Sequence, residues 1–439
     1  MKTESIASTS AQYRYIALGI FTLTYTLNFV DRQILSILQE PIKSDLGLSD
    51  TQLGLLTGFA FALFYVSLGF PIARLADRSN RKRIVVWCLS LWSTMTMLCG
   101  LTVNYWQLLM ARIGVGVGEA GCTPPLHSMI SDIFPTRERG TALGIYNSGV
   151  NIGVLVGFLL GGWITQFFDW RIALLLVGLP GLILALIFQK VVKEPPRLNE
   201  HGGSAESQAA PMPYKEILGL FLSVPTLRWL VVAAMACGIS GYGLLNWTPS
   251  FLLRNFDIQP GMVGTYLALI VGIGGGLMTF LVGYLGDKFS SRGMHWYLWV
   301  TSVFFTISLP ALHIMLTAQS AVTAILGFVI PGLIIQCYLA PMVAVTHSIV
   351  PANARAFSSA FLLFAVNIIG LGAGPVLVGF ISDTLAPDLG EGDGLRYAMI
   401  AVVGASSLLA AISLAIGGIS HRRMQHRTPV MNRQKGAVQ

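Results

Sequence analysis

Twelve apolar segments, each about 20 residues long, follow one another along this chain with short polar stretches between them. A helix of that length crosses the hydrocarbon core of a bilayer, which is about 30 Å thick. Only 11% of the residues are charged, less than half of the roughly 25% that soluble domains carry. The pattern predicts an all-α membrane protein with transmembrane helices at residues 15–38, 52–74, 84–103, 106–133, 139–166, 171–191, 228–252, 262–285, 296–317, 320–348, 356–383 and 395–418.

Lysine and arginine are distributed unevenly between alternate loops. If the N-terminus is cytoplasmic, the cytoplasmic segments hold 22 of the 28 basic residues, and the opposite side holds only Lys43, Arg171, Arg254 and Arg396. This asymmetry predicts a multi-pass protein of the inner (plasma) membrane with both termini in the cytoplasm. Topology also accounts for the net charge of +8, so we expect no nucleic-acid partner.

The two halves of the chain repeat each other. Pro135 and Arg139 recur as Pro351 and Arg355, at an offset of 216 residues. Duplicated halves are typical of transporters, in which two pseudo-symmetric six-helix bundles bind substrate between them near the midplane. The expected organisation is an N-terminal bundle at 1–192, a cytoplasmic linker with a short interfacial helix at 193–227, a C-terminal bundle at 228–418 and a basic cytoplasmic tail at 419–439.

The loop after the second span is similar to a signature of the major facilitator superfamily, G-x-L-a-D-R-x-G-R-[RK]. Its matching positions are Leu75, Asp77, Arg78, Arg81 and Lys82. Ala73 and Asn80 replace the two glycines of the signature. The resemblance implies that Asp77 and Arg81 form a conformational latch with Asp132, at the end of the fourth span, which holds in the outward-facing state.

Longer stretches resemble the spinster family within that superfamily. They are LNFVDRQILS in the first span, GVGEAGCTPP in the fourth and YGLLNWTPSFLLR in the seventh. Eukaryotic members of that family export sphingosine-1-phosphate or lysophospholipids, and this chain resembles a bacterial homologue. The resemblance implies the major facilitator fold, coupling to protons and a monomeric state.

Four charged residues lie deep inside the predicted spans, away from the span ends: Asp31, Arg32, Arg112 and Glu119. Charge at bilayer depth costs about 2.5 to 3.5 kcal/mol per residue on insertion scales, so such residues pair or line a polar cavity. Asp31 lies about 24 Å along the first helix, and Arg112 lies about 10 Å along the fourth helix, which enters from the other side. The two are therefore expected to pair, and Glu119 shares a helix face with Arg112.

These residue types suggest roles in transport. A carboxyl in a low-dielectric site binds a proton readily and a nearby arginine opposes this, so we expect Asp31 and Glu119 to couple transport to protons. Arg32 and Arg112 are expected to bind an anionic substrate, because the guanidinium fork suits phosphate. The alternative for all four residues is a static ion-pair network that holds the first and fourth spans together.

Two further patterns lie in other spans. Tyr242 and Asn246 in the seventh span are candidate substrate-binding residues, the alternative for Asn246 being a hydrogen bond between helices. Glycines at a spacing of four in the fifth span predict close packing against the eighth span, at Gly272 and Gly276. These glycines are Gly149, Gly153, Gly157 and Gly161.

Several function classes are not supported by any pattern. The sequence contains no G-x-x-x-x-G-K-[ST] loop and no catalytic or metal-ligand cluster, so we expect no ATP-driven pump, enzyme, cofactor or metal. A lipid-modifying membrane enzyme would need clustered nucleophile and base residues, and the sequence shows none. A receptor that does not transport would be expected to lack the membrane acids or the latch residues, and both are present.

The sequence therefore predicts a secondary active transporter that works by alternating access and is coupled to protons. The expected substrate is an amphipathic anionic lipid, such as a lysophospholipid, with membrane lipids around the protein. The alternative is a proton-coupled symporter of small organic anions such as sugar acids and carboxylates.

Overall fold

The computed structural model describes residues 10–197 and 212–436. In the first half of the chain its helices are α1 (Ala11–Ile37), α2 (Gln39–Leu46), α3 (Asp50–Arg78), α4 (Arg81–Cys99), α5 (Tyr105–Ala120), α6 (Thr123–Ile133), α7 (Thr136–Phe167) and α8 (Trp170–Val191). In the second half they are α9 (Tyr214–Ser223), α10 (Pro225–Asn255), α11 (Pro260–Ser290), α12 (His295–Thr317), α13 (Ala321–Ile349), α14 (Ala352–Leu389) and α15, which begins at Glu391 and ends at Gly436. The described ranges contain no β-strand.

The prediction of an all-α membrane protein is confirmed. Within the described ranges, nine helices are long and apolar enough to cross a membrane. The other three expected spans are also helical and correspond to α1, α4 and the pair α5–α6. The helix α1 carries Asp31 and Arg32, and α5 and α6 are each shorter than 18 residues because the fourth span is broken between them.

The sequence repeat extends to the local backbone. Pro135 precedes α7 with φ −64° and ψ 152°, and Pro351 precedes α14 with φ −65° and ψ 157°. The fourth span breaks before α6, and α13 is interrupted before its last segment, Leu339–Ile349. These two segments, α6 and Leu339–Ile349, each have 11 residues and are separated by the same offset of 216.

The chain divides into two compact units. Unit 1 contains Met1–Glu200, Leu245–Ile273 and Pro375–Leu395, and unit 2 contains His201–Leu244, Gly274–Gly374 and Arg396–Gln439. Unit 1 thus includes one end each of α10, α11 and α14. The predicted bundle boundaries at residues 192 and 228 stay a prediction.

In unit 1 the glycine stripe of α7 packs against α1. A side-chain carbon on Gly153 would lie 2.5 Å from Phe29 Cβ, and one on Gly157 would lie 2.9 Å from Gln33 Cβ. The expected partner, the eighth span, instead meets α7 at other positions, where Gly272 packs against Leu155. The prediction of the partner was wrong because spacing in sequence defines a face of one helix and does not say which neighbour that face meets.

Unit 2 has its own glycine contact and apolar core. Gly370 of α14 lies against Gly238 of α10, where an added side-chain carbon would be 2.5 Å from Gly238 Cα. The short helix α9 lies within 193–227, the segment in which an interfacial helix was expected, and it buries Ile217 and Phe221 in this core. The predicted basic tail continues as helix to Gly436, and residues 437–439 and the linker residues 198–211 lie outside the described ranges.

Candidate functional site

Two ion pairs connect α1 with α5 inside unit 1. Arg32 Nε lies 2.7 Å from Glu119 Oε2, and Arg112 Nη1 lies 3.4 Å from Asp31 Oδ1. Adjacent residues of α1 point about 100° apart, whereas Arg112 and Glu119 lie two turns apart on one face of α5. Each charged residue of α1 therefore faces a residue of opposite charge on α5. The pairing of Asp31 with Arg112, which their depths along the helices predicted, is present.

The glycines of α5 allow close packing against α3 and α4. A side-chain carbon on Gly116 would lie 3.1 Å from the carbonyl oxygen of Phe61 in α3, and one on Gly118 would lie 2.7 Å from the backbone nitrogen of Trp92 in α4. Small residues let helix backbones come close in a membrane. The segment GVGVGEAG thus brings Glu119 into the interior of the unit, where only 1% of the residue is exposed.

Aromatic rings surround the guanidinium of Arg32. Its Cζ atom lies 5.1 Å from the ring centroid of Phe29, 4.8 Å from that of Phe61 and 4.6 Å from that of Tyr65. The side chain is 13% exposed, whereas that of Glu119 is fully buried. A weakly hydrated cation over ring faces is stabilised there, and a guanidinium in such surroundings can bind an anion that carries an apolar body.

Glu119 uses only one of its two oxygens. Oε2 accepts from Arg32, and Oε1 is buried without a hydrogen-bond partner in the described part of the chain. The Nε atom of Arg112 is likewise buried without a hydrogen-bond partner among the described residues. A buried unpaired polar atom costs about 1–3 kcal/mol, so Oε1 is a site at which a proton donor would be favoured.

Asp31 has a second partner that sequence reasoning missed. The hydroxyl of Thr96 in α4 donates to Asp31 Oδ2 at 2.6 Å. Both residues are buried, with 1% of Thr96 and 2% of Asp31 exposed. No sequence signal marks this threonine, because a threonine in a helix usually bonds its own backbone four residues earlier.

The two residues predicted in the seventh span lie on α10. Tyr242 is half-buried against the apolar core of unit 2. Asn246 is buried, with 8% exposed. Their roles in substrate binding stay predictions.

Two of the three latch residues meet. Arg81 is buried at the start of α4 and forms an ion pair with Asp132. Asp77 is exposed on the last turn of α3, and the described residues include no ion pair to it. The structure thus joins Arg81 to Asp132 but leaves Asp77 on the solvent side of its turn, and the latch role of all three stays a prediction.

The first residues of the expected linker are held against this loop. Glu194 accepts from Arg81 Nε and from the backbone N–H of Lys82, both at 2.8 Å. Arg197 donates to the carbonyl oxygens of Ala76 and Ser79, at 2.7 and 2.8 Å. Glu194 and Arg197 thus hold the segment 193–197 against the end of α3 and the start of α4.

A second charged group in unit 1 was not predicted. Arg254, near the end of α10, is 6% exposed at its side chain and pairs with Asp50 at 2.7 Å and with Glu40 at 2.8 Å. Ser382 of α14 donates to Asp50 Oδ2 at 2.6 Å. We call Glu40, Asp50, Arg254 and Ser382 the Arg254 cluster.

Further contacts support the Arg254 cluster. Lys43 Nζ lies 2.9 Å from both Asp50 and Glu391. Asp383 accepts from the backbone N–H groups of Asp50 and Thr51, at 2.8 and 2.7 Å, where a carboxylate is favoured by the helix start. The signal was present in the sequence, because Lys43 and Arg254 are two of the four basic residues on the predicted non-cytoplasmic side.

Comparisons with known proteins agree on one kind of molecule. The Major Facilitator Superfamily model matches residues 21–375. An MFS-type efflux pump of Mycolicibacterium smegmatis is 33% identical over 93% of this chain and 94% of its own, and a hexuronate transporter of Bacillus subtilis is 28% identical over 82% and 86%. The crystal structure of a bacterial homologue of the human lysosomal transporter Spinster, inward-facing and unoccupied, superposes with a TM-score of 0.85, 31% identity and coverage of 94% of this chain and 99% of that one. These proteins are named transporters or pumps and not enzymes, as expected for this chain.

Proposed function

Because this chain belongs to the major facilitator superfamily of membrane transporters, we propose that it carries an anion with an apolar body, such as a lysophospholipid, together with protons. Transport would proceed by alternating access across the inner membrane, with both termini cytoplasmic and the protein acting as a monomer among membrane lipids. The observation that carries the proposal is Arg32, whose side chain is 13% exposed and whose guanidinium contacts three aromatic rings and the buried Glu119.

The substrate class follows from the surroundings of Arg32. A guanidinium binds phosphate or carboxylate with directed hydrogen bonds, and the half-buried rings of Phe29 and Tyr65 offer apolar contact beside it. An amphipathic anion matches both features. Arg112 would act more as the partner of Asp31, since its side chain is only 3% exposed.

Proton coupling follows from the shared arginine. Arg32 either neutralises ionised Glu119 or, once Glu119 holds a proton, neutralises a substrate anion. Binding of the proton and binding of the anion therefore favour each other, and such linkage is reciprocal. Under this scheme an inward proton gradient drives the anion inward, and Asp31, paired with Arg112, is the second carboxyl that can hold a proton.

A small organic anion is the second candidate substrate. The relative that is named a hexuronate transporter covers most of this chain and supports it. A sugar acid would use the same guanidinium through its carboxylate but would gain little from the aromatic rings. The two candidates therefore differ in how strongly transport depends on Phe29 and Tyr65.

Proteoliposomes containing the purified protein test the proposal. Movement of lysophosphatidylglycerol, followed by extraction with albumin, and uptake of labelled glucuronate are each measured with and without an imposed pH gradient. We expect gradient-dependent movement of the lysolipid that Glu119→Gln abolishes. Glu138→Gln, in a partly exposed pair with Arg14, is the matched control and should behave as the wild type.

Three other outcomes are informative. Gradient-dependent uptake of glucuronate alone would replace the lysolipid with the second candidate. Movement of the lysolipid that the gradient does not change would overturn the coupling. Movement of neither compound by folded protein would overturn the substrate proposal.

A further inference from the structure

The hydroxyl of Thr96 lies between two acceptors. Its Oγ1 atom is 2.6 Å from Asp31 Oδ2 and 3.0 Å from the carbonyl oxygen of Trp92, one turn earlier in α4. Thr96 is 1% exposed, so water does not replace either contact. A hydroxyl carries one hydrogen and can accept through its lone pairs, and so it donates to only one of the two acceptors at a time.

From this geometry we infer that Thr96 is a positioning residue for proton binding at Asp31, an inference that rests on the proposed proton coupling. When Asp31 is ionised, Thr96 donates to Oδ2. When Asp31 is protonated at Oδ2, the carboxylic acid donates to Thr96 Oγ1, and the threonine hydroxyl turns to donate to Trp92 O. In both protonation states, Asp31 Oδ2 and the hydroxyl of Thr96 are therefore paired with each other. Only the hydroxyl of Thr96 has to rotate when the proton binds, and the helices need not move.

Thr96 is the shortest contact of Asp31. Arg112 Nη1 is farther from the carboxylate, at 3.4 Å from Oδ1. The other charged or titratable groups around Asp31 are Glu119 on α5, Arg32 on α1 and the Cys99 thiol on α4. Of these groups, only Arg112 forms a hydrogen bond to Asp31 among the described residues, and a guanidinium donates but cannot accept, whereas the hydroxyl of Thr96 can do both.

Glu119 has no hydroxyl partner equivalent to Thr96 among the described residues. Its Oε1 atom has no hydrogen-bond partner within the described ranges, and its Oε2 atom is bound to Arg32, which can only donate. The two acids of the site are therefore not interchangeable. Asp31 can gain and lose a proton without a change in its neighbours' positions, whereas a proton on Glu119 changes the partner of Arg32.

Substitution of the hydroxyl gives a direct test. Thr96→Val has nearly the same shape but cannot donate to ionised Asp31. Both protonation states of Asp31 lose a hydrogen bond, but the bond to the charged carboxylate is the stronger one, so Asp31 should bind its proton at a pH higher by about one unit. Thr96→Ser keeps the hydroxyl and should restore the wild-type profile. Thr94→Val is the control, since Thr94 is exposed on the same helix and bonds only Ser90 O among the described residues.

Two readouts distinguish failure of this inference from failure of the proposed function. The first is the pH profile of transport in proteoliposomes. The second is an infrared titration of the carboxylic C=O band of Asp31, assigned with Asp31→Asn, which needs no transport. We expect both midpoints to rise in Thr96→Val and not in Thr96→Ser or Thr94→Val.

An unchanged infrared midpoint in Thr96→Val would overturn the inference, whatever transport does. If the wild type shows no proton-dependent transport but the infrared midpoint shifts as expected, the proposed coupling fails while the pairing of Thr96 with Asp31 stands. Should Thr96→Val fail to fold, Thr96→Ala removes the same hydroxyl with less bulk and takes its place in both measurements.

Discussion

Arg254 holds Asp50 through two parallel hydrogen bonds, one from each terminal guanidinium nitrogen and each 2.7 Å long. Fork-to-fork pairing of this kind is the strongest geometry that an arginine and a carboxylate form. Arg254 lies near the end of α10, and Asp50 is the first residue of α3. The α10 end cannot move away from α3 without breaking this pair, so alternating access would require it to open.

Removal of Arg254 should destabilise the protein strongly. Arg254→Ala leaves Asp50 buried without its main counter-charge, and breaking a buried pair in this way costs about 3–5 kcal/mol. Thermal unfolding in detergent measures the loss. Arg171→Ala is the control, because its pair with Asp45 is partly exposed and such pairs contribute about 0–1 kcal/mol. Equal losses in the two variants would show that the Arg254 cluster is not a principal contact.

Arg32 and Arg112 should respond differently to replacement by lysine. Lysine keeps the charge but loses the planar fork and the stacking on Phe29, Phe61 and Tyr65. We expect Arg32→Lys to weaken the apparent substrate affinity by about tenfold, since cation–π contacts of this kind contribute roughly 0.5–2 kcal/mol. Arg112→Lys should lower the unfolding temperature and leave the apparent substrate affinity nearly unchanged. The KM of transport and the melting temperature of both variants decide this, and an unchanged KM in Arg32→Lys would remove Arg32 from the substrate site.

The packing of α7 on α1 predicts opposite effects for two glycine substitutions. In Gly153→Ala the new carbon would lie 2.5 Å from Phe29 Cβ and 2.6 Å from the carbonyl oxygen of Thr26, so the helices must separate at a cost of about 1–3 kcal/mol. Gly283 in α11 has open space around it, and Gly283→Ala should stabilise the helix by about 0.5–1 kcal/mol. Unfolding in detergent compares the two, and a neutral Gly153→Ala would mean that the contact adapts freely.

Asp45 gives a pH-dependent contribution to stability outside the membrane spans. Its hydrogen bond from Arg171 lowers the pKa of the Asp45 carboxyl below the ordinary value of 3.8. A group whose pKa is lower in the folded state stabilises the fold above its unfolded pKa and loses that effect as the pH falls through the folded pKa. The melting temperature of Asp45→Asn should therefore lie slightly below that of the wild type at neutral pH. The difference should shrink as the pH falls below 3.8 and vanish once the pH is below the lowered folded pKa, and a difference that persists in that acid range would assign the effect to packing.

Properties that depend on one helix at a time could be predicted from the sequence. Hydrophobic length located the spans, and the offset between Pro135 and Pro351 located the repeat, which reappears in the caps of α7 and α14. Depth along two oppositely directed helices was enough to predict that Asp31 meets Arg112, because charge in a bilayer must find a partner.

The contacts between helices depended on how each helix is rotated about its own axis, which the sequence does not show. The sequence by itself determined that this chain is a helical membrane protein of the major facilitator superfamily with four charges in its spans. Only the tertiary structure decided that Arg32 forms an ion pair with Glu119, that Thr96 donates a hydrogen bond to Asp31 and that the glycines of α7 face α1. Hydropathy and charge are properties of residues in order along a chain, whereas a contact between helices depends on which faces meet, and close packing of side chains from both helices sets that choice.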